Sequence, residues 1–292
     1  MCSIVWWNTS LNPYGRTTRS EPPNTISIKQ NILALCSVFD IVILGEYIDC
    51  HGLQEDLNKL NNATLMSSRP KNMVIVDCHA SYGRLVFNNL IILDTLRVSC
   101  NNALLKNISH AQSMGRAYRI GQSIRMKIDM FAEPIALFVV HWSQYGETDE
   151  ATVKGSAAYE LATEMEQSPE RLRLCVGDFN SEPYSQYVLA LKSSRSASFS
   201  SKNGGFFNPF WHYLDGPGTI CYSNKNALRC DSPLFDQILI SSEFLNLEWL
   251  GFRAGIIHEN DSSRLHLPYL NPLKGQHRPV FLTFFHEEKE SL

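Results

Sequence analysis

The chain has 292 residues, 44% of them hydrophobic and 19% charged, which suits a folded globular protein and excludes a disordered or fibrous one. At this length roughly 75% of the unfolded surface can be buried, so folding needs no covalent or metal staple. Lys and Arg number 26 against 29 Asp and Glu, a net charge of -3. That disfavours a surface given over wholly to a polyanion, but it leaves room for a local basic groove.

In chain order, Ser3–Trp7 predicts a strand, followed by a polar, Pro-containing loop over Leu11–Asn24. Ile28, Ile32, Leu35 and Phe39 recur at helical spacing, and Ile41–Leu44 predicts a buried strand. His51–Asn62 predicts a short helix with Leu53, Leu57 and Leu60 inward. Strands are expected over Met73–Asp77, Arg84–Leu93, Ile124–Met130 and Ile135–Val140. Ala151–Gln167 reads as a helix with Val153, Ala157, Leu161 and Met165 on one face, and Lys154, Glu160, Glu164 and Glu166 largely off it. A turn at Ser168–Glu170 leads into a strand over Leu172–Val176. Ser193–Gly205, SSRSASFSSKNGG, has the composition of a loop, and Gln237–Ile240 and Val280–Phe284 are late strands. No repeat or linker divides the chain, so a single layered α/β domain over 1–292 is expected.

The eight cysteines, at 2, 36, 50, 78, 100, 175, 221 and 230, contain no CxxC pair, and several lie in apolar runs where a thiol packs as a small hydrophobe. Cys221 and Cys230 are open to pairing in an oxidising compartment. However, MCSIVWWNTS has no basic n-region or extended apolar segment, and no run approaches the about 18 apolar residues of a membrane span. The expectation is a cytoplasmic protein with reduced thiols and no membrane partner.

The chemistry is written where the strands stop. IVWW runs into Asn8, IVILG into Glu46, IALFVV into His141 and LRLCVG into Asp178, while Asp236 and His277 stand just before late strands. In a sheet with antiparallel members, the ends of some strands and the starts of others share one edge. Amide, carboxylate and imidazole groups gathered there suit a hard divalent cation and a phosphate.

With GDFNS at Gly177–Ser181, LGE ending at Glu46, VHWS beginning at His141, FDQILIS around Asp236 and the terminal HRPV, the chain resembles the endonuclease/exonuclease/phosphatase superfamily, in particular a bacterial branch of it. The resemblance extends from WWN to HRPV. It implies a DNase I-like four-layer sandwich, two packed mixed β-sheets flanked by helices, and Mg²⁺- or Mn²⁺-dependent phosphoester hydrolysis. It implies Glu46 as metal ligand and Asn8 beside it, holding the metal or the phosphate. Asp178 and Asn180 match the pair that handles the attacking water and the phosphate. His277 matches the terminal histidine, with Asp236 orienting it. His141 matches a candidate general acid for the leaving oxygen. Gln276 stands where the family usually has Asp, so a neutral amide takes the place of a carboxylate that commonly joins the metal site.

Nucleic acid is the expected substrate, with a small phosphorylated metabolite or phospholipid head group as the alternative and a catalytically inactive binding module as a third reading. Either Asp178 or the Asp236–His277 pair activates the water; the sequence leaves both open. Arg116 and Arg119, in GRAYRIG, are candidate phosphate contacts, and a solvated hairpin is the competing reading. Lys192, Arg195, Lys202, Lys225 and Arg229 are weaker groove candidates, and the other histidines show no metal-ligand spacing.

Gln276 generates the first prediction. An amide brings no negative charge, so Gln276→Asp is expected to lower the Mg²⁺ concentration that gives half-maximal rate. Calorimetry and a metal-dependent rate curve on both proteins check it. An identical metal requirement would place position 276 outside the coordination sphere.

Overall fold

The computed structural model describes residues 1–11, 25–47, 52–82, 85–100, 105–111, 117–142, 150–216, 218–220, 233–258 and 277–287. The chain begins β1 (Cys2–Asn8), α1 (Thr25–Val38), β2 (Ile41–Gly45), α2 (Leu53–Thr64), β3 (Met73–Asp77), β4 (Ala80–Tyr82), β5 (Leu85–Phe87) and β6 (Leu90–Asp94). It continues with β7 (Val98–Cys100), β8 (Lys106–Ala111), β9 (Ala117–Ile128), β10 (Ile135–His141), α3 (Glu150–Gln167) and β11 (Leu172–Asp178). Then come α4 (Gln186–Leu189), β12 (Ser193–Ser194), α5 (Ala197–Asn203), β13 (Phe206–Phe207) and a 3-10 turn at Pro209–Tyr213. The last elements are β14 (Asp236–Ser241), α6 (Ser242–Leu245), β15 (Leu250–Ile256) and β16 (Val280–His286).

One sheet has the order β15-β16-β1-β2-β6-β3, the other β12-β13-β14-β11-β10-β9-β7 with β8 paired to β9. Alternation along the strands explains the layers. Cys2, Ile4 and Trp6 of β1 join Ile135, Leu137 and Val139 of β10 in the core between the sheets. Val5 and Trp7 turn the other way, onto Ile28, Ile32 and Leu35 of α1 and Leu53 and Leu57 of α2. Likewise Ala136, Phe138 and Val140 face Val153, Ala157, Leu161 and Met165 of α3. Strands buried on both faces have no polar side to show, which is why they read as unbroken apolar runs.

Parallel pairs joined by a helical crossover occur in both sheets: β1 with β2 through α1 in one, and β10 with β11 through α3 in the other, where the short β12 and β13 also pair in parallel across α5. Parallel pairing aligns strand ends of the same sense. It sets Asn8 against Gly45 in one sheet and His141 against Asp178 in the other. Antiparallel β14 then sets Asp236 against Asp178.

Several elements differ from expectation. The strand expected over Arg84–Leu93 divides at Asn88 and Asn89: β5 pairs with β4, and β6 pairs with β2 and β3. Asn89 is buried and donates to Gln122 Oε1 at 2.8 Å, so a polar link interrupts the apolar run. The strand expected from Ile124 begins at Ala117 and ends at Ile128, which puts Arg119 in a strand rather than a solvated hairpin. The serine-rich stretch is not a plain loop, because Ser196 caps α5 by accepting from Phe199 N. Lys154, expected off the buried face of α3, is 4% exposed. Among the described residues Cys2, Cys36, Cys78, Cys100 and Cys175 are free thiols, with burial pushing Cys36 up to about 12. Cys50, Cys221 and Cys230 lie outside the described residues. No described helix is long and apolar enough to cross a membrane.

At the end of β1 away from the strand-end row, Asp40 is fully buried in a charged cluster. Its Oδ2 accepts from Ser3 N and Oγ at 2.9 and 3.0 Å, and its Oδ1 from Lys71 Nζ at 2.9 Å and Arg69 Nη2 at 2.8 Å. Arg97 bridges Asp40 and Asp94 at 3.3 and 3.1 Å. Burial alone would raise the Asp40 pKa, but Lys71 and Arg69 hold it below the usual carboxylate value. Lys71→Met removes a buried cation from two carboxylates and is expected to lower the unfolding free energy by about 3–5 kcal/mol. Urea denaturation checks this against Lys59→Met, whose ammonium is exposed and which is expected to leave the midpoint unchanged. Equal midpoints would show that the cluster does not stabilise the fold.

Candidate active site

The register brings the strand-end residues to one rim between the two sheets. His141, Asp178 and Asp236 stand side by side on β10, β11 and β14. Asn8 and Glu46 close the facing sheet, and His277 pairs with Ile220 just ahead of β16. Two glycines permit this closeness. A Cβ on Gly177 would lie 1.9 Å from the Val140 carbonyl oxygen, and its φ is +152°. A Cβ on Gly45 would lie 2.4 Å from the Trp6 indole. Glu46, directly after Gly45, holds a positive φ of 49°. Its turn is tied by Thr9 Oγ1 donating to Gly45 O and Glu46 O, and by Tyr47 N donating to Asn88 O.

The Asp236–His277 pair is formed as expected, with 2.6 Å between Oδ2 and Nδ1. The other Asp236 oxygen accepts from Trp6 Nε1 at 2.7 Å, and Trp7 Nε1 donates to His277 O at 2.9 Å. Asn8 Nδ2 donates to Asp178 Oδ2 at 3.2 Å while its own Oδ1 accepts from Ser10 N. Asn8 therefore presents its amide NH₂ to the site, an orientation for holding a carboxylate or phosphate and not for coordinating a cation. Trp6 and Trp7 were not among the expected site residues. Their partners lie 230 and 270 positions away, so no local pattern marks them.

Asp178 Oδ1 accepts from Asn180 N at 2.8 Å, closing an Asx turn that leaves Asn180 at φ 45°. Asn180 Nδ2 donates to Trp142 O at 2.5 Å, so part of this amide is spent on joining the ends of β10 and β11. Behind the turn, Lys154 Nζ donates to Asn180 O at 2.7 Å. Lys154 is a second positioning residue that its helical pattern hid.

Arg119 enters the site from β9. Its Nη1 donates to Val86 O at 2.9 Å and its Nη2 lies 3.3 Å from His141 Nδ1. A guanidinium has no acceptor, so this contact requires an unprotonated Nδ1 and puts the imidazole hydrogen on Nε2. That nitrogen faces Glu46 Oε1 at 3.3 Å and Asp178 Oδ2 at 3.9 Å. Burial, with Arg119 and His277 adding to it, holds His141 well below the usual histidine pKa.

The carboxylates behave as a crowded anionic pair. Burial and Asp178 push Glu46 up to about 7; burial and Asp236 push Asp178 up to about 6. Burial alone would lower His277, but Asp236 raises it to about 9. Ligand atoms of Asp178, Asp236 and His277 lie within 4.8 Å of one another. Both Asp236 oxygens are engaged by Trp6 and His277, and both Asp178 oxygens by Asn8 and Asn180. Glu46 Oε1 and Asp178 Oδ2 both face His141 Nε2, and a hard divalent cation fits these oxygen donors. Arg116 and Gln276 lie outside the described residues, as do Lys225 and Arg229. Lys192, Arg195 and Lys202 are exposed, and Lys192 pairs with Glu166.

No family model matches the sequence, and no curated protein matches it. Solved structures do match over nearly the whole chain. TDP2 of D. rerio complexed with a single-strand DNA product is 15% identical, covers 97% of this chain and 98% of its own, and superposes with a TM-score of 0.58. An endonuclease/exonuclease/phosphatase family protein of Bacteroides thetaiotaomicron is 15% identical, with 98% of each chain covered and a TM-score of 0.56. A mannosyl-6-phosphatase of the same organism is 14% identical, with 98% and 100% covered and a TM-score of 0.54. The chain shares the fold of these three proteins, the DNase I-like fold.

A pH dependence follows. A carboxylate whose pKa rises on folding destabilises the fold once ionised. For Glu46 the loss begins above 4.5 and is complete above about 7. A divalent cation opposes that loss where Glu46 is ionised and competes with a proton where it is not. Thermal melts with Mg²⁺ and with chelator are expected to show a larger gain from Mg²⁺ at about pH 8 than at about pH 5.5. Equal gains would remove Glu46 from the cation site.

Proposed function

We propose that the protein is a divalent-metal-dependent phosphodiesterase that hydrolyses nucleic acid by in-line attack of water on phosphorus. The observation that carries this reading is the convergence of Glu46, Asp178 and the Asp236–His277 pair, flanked by His141 and Arg119, on one rim. Mg²⁺ or Mn²⁺ held by Glu46 would neutralise charge on the phosphoryl oxygens.

Asp178 is the better proton acceptor for the attacking water. Its pKa of about 6 leaves it ionised at neutral pH and still basic, whereas His277, at about 9, is already protonated. His277 Nε2 lies 3.8 Å from Asp178 Oδ2, placed to donate to a phosphoryl oxygen. Arg119 adds a fixed positive charge and sets the His141 tautomer. In this reading His141, the candidate general acid, would offer a neutral Nε2–H to the leaving oxygen. Asn8 and Asn180 hold Asp178 from either side.

The TDP2 neighbour is complexed with single-strand DNA, which supports a nucleic-acid substrate. The mannosyl-6-phosphatase neighbour and the net charge of -3 support the second reading, a small phosphomonoester. Labelled single- and double-stranded DNA, RNA and phosphorylated sugars incubated with Mg²⁺ separate the two. Short oligonucleotides are the expected product; inorganic phosphate alone would establish the phosphatase. Glu46→Gln keeps the shape and removes the charge. It is expected to lower turnover roughly 10²- to 10³-fold and to raise the Mg²⁺ requirement, as read by a metal titration. Full activity at ordinary Mg²⁺ would exclude Glu46 from the reaction.

A further inference from the structure

Beside the catalytic pair, one buried amide gathers two loops. Gln237, next to Asp236 on β14 and fully buried, donates through Nε2 to Ser181 O at 2.7 Å and Leu234 O at 3.0 Å. Its Oε1 accepts from Asn208 Nδ2 at 2.8 Å. Asn208, also fully buried, uses its Oδ1 to start the 3-10 turn by accepting from Phe210 N at 3.0 Å. The loop leaving Asp178–Asn180 and the turn carrying Trp211 are thereby fixed to the strand that begins at Asp236.

In a 3-10 turn, residues three apart lie on one face. Phe210 and Tyr213 take the inner face, with ring centroids 5.9 Å apart, Phe210 buried and the Tyr213 hydroxyl donating to Ala254 O. Trp211 and Leu214, also three apart, share another face, and Trp211 Nε1 is buried with no hydrogen-bond partner among the described residues. Tyr184, three residues beyond Ser181, meets Trp211 edge to face with centroids 6.3 Å apart. Tyr184 is 55% exposed and Leu214 37%, and Trp211 is half-buried.

We infer that Tyr184, Trp211 and Leu214 form a stacking platform for a base of single-stranded nucleic acid next to the scissile phosphate, an inference that rests on the nucleic-acid reading above. An indole, a phenol ring and an isobutyl group offer π-surface and few hydrogen-bonding groups. That suits the flat face of a base; a sugar needs a partner for each hydroxyl. An unpaired strand presents such faces, and stacking accepts any base. The platform lies on the Asp236 side of the rim and Arg119 on the far side, with β14, β11, β10 and β9 in that order between them. A strand laid across the rim would meet a ring platform at one end and a cation at the other.

The test compares an oligothymidylate with an abasic oligonucleotide of equal length, which keeps the phosphates and lacks the bases. Binding is measured with Mg²⁺ in an Asp178→Asn background that blocks turnover. Tyr184→Ala and Trp211→Ala are expected to weaken oligothymidylate binding about 5- to 100-fold and to leave abasic-strand binding unchanged. Tyr184→Phe, which keeps the ring, is expected to match the parent, and unchanged melting temperatures confirm folding. Equal losses on both strands, or none, in a protein whose parent binds oligothymidylate would overturn the platform and leave the nucleic-acid reading standing. A parent that binds neither strand, while the wild type releases phosphate from a sugar phosphate, overturns both.

Discussion

Three consecutive side chains at the end of β1 hold the site together. Trp6, Trp7 and Asn8 donate to Asp236, to the backbone of His277 and to Asp178. These partners come from β14, from the segment ahead of β16 and from β11, which belong to different sheets. A hydrogen bond to an ionised group contributes about 1.5–3 kcal/mol, more than a neutral one. Its larger effect here is geometric. One strand sets the separation of Asp178, Asp236 and His277, so a slip between the sheets would move every contact together. Gly45 completes the arrangement, because any side chain there would displace the Trp6 ring and with it the hydrogen bond to Asp236.

The same strand is fixed at its other end by Ser3, whose backbone and hydroxyl both donate to Asp40. The two ends differ in charge balance. Around Asp40 and Asp94 stand Lys71, Arg69 and Arg97, so each carboxylate has a cation within reach and Asp40 stays ionised easily. Around Glu46 and Asp178 the carboxylates crowd each other and both pKa values rise. A fold can afford one such imbalance when the opposite end is fully paired. Strain of this kind concentrates where chemistry needs a proton acceptor near neutrality.

Much of this was legible in the sequence, because an apolar run that stops at a polar residue marks both a strand and its rim. Asn8, Glu46, His141 and Asp178 all carry that signature, and pairing of the strands in register did the rest. Asp236 and His277 were legible through their order along the chain. What stayed hidden were residues whose partners are remote or whose pattern belongs to another role. Trp6 and Trp7 look like ordinary core positions in an apolar strand. Lys154 sits at a helical position that composition alone sends to solvent, whereas its ammonium turns inward to the Asn180 carbonyl. Arg119 was already a candidate contact; what its glycine-flanked stretch did not reveal is that the side chain is buried, on a strand paired with β8 and β10. Serines at 194 and 196 read as loop because the same side chains cap turns and helices.

The net charge of -3 illustrates how little a total says about a site. Among the described residues, the cationic groups in and behind the site are Arg119, Lys154 and His277; all three are buried, so none is a surface charge that composition would reveal as a patch. Each is held by a directional bond: Arg119 to Val86 O, Lys154 to Asn180 O, His277 to Asp236. Fixed charges in a buried site act through a lower dielectric than the same charges on the surface, and they need no reorganisation when a phosphate arrives. Under the nucleic-acid proposal, recognition of a phosphate would rest on where these few cations are pinned. The uncharged rings of Tyr184 and Trp211 would then add contact with a polymer without adding positive charge.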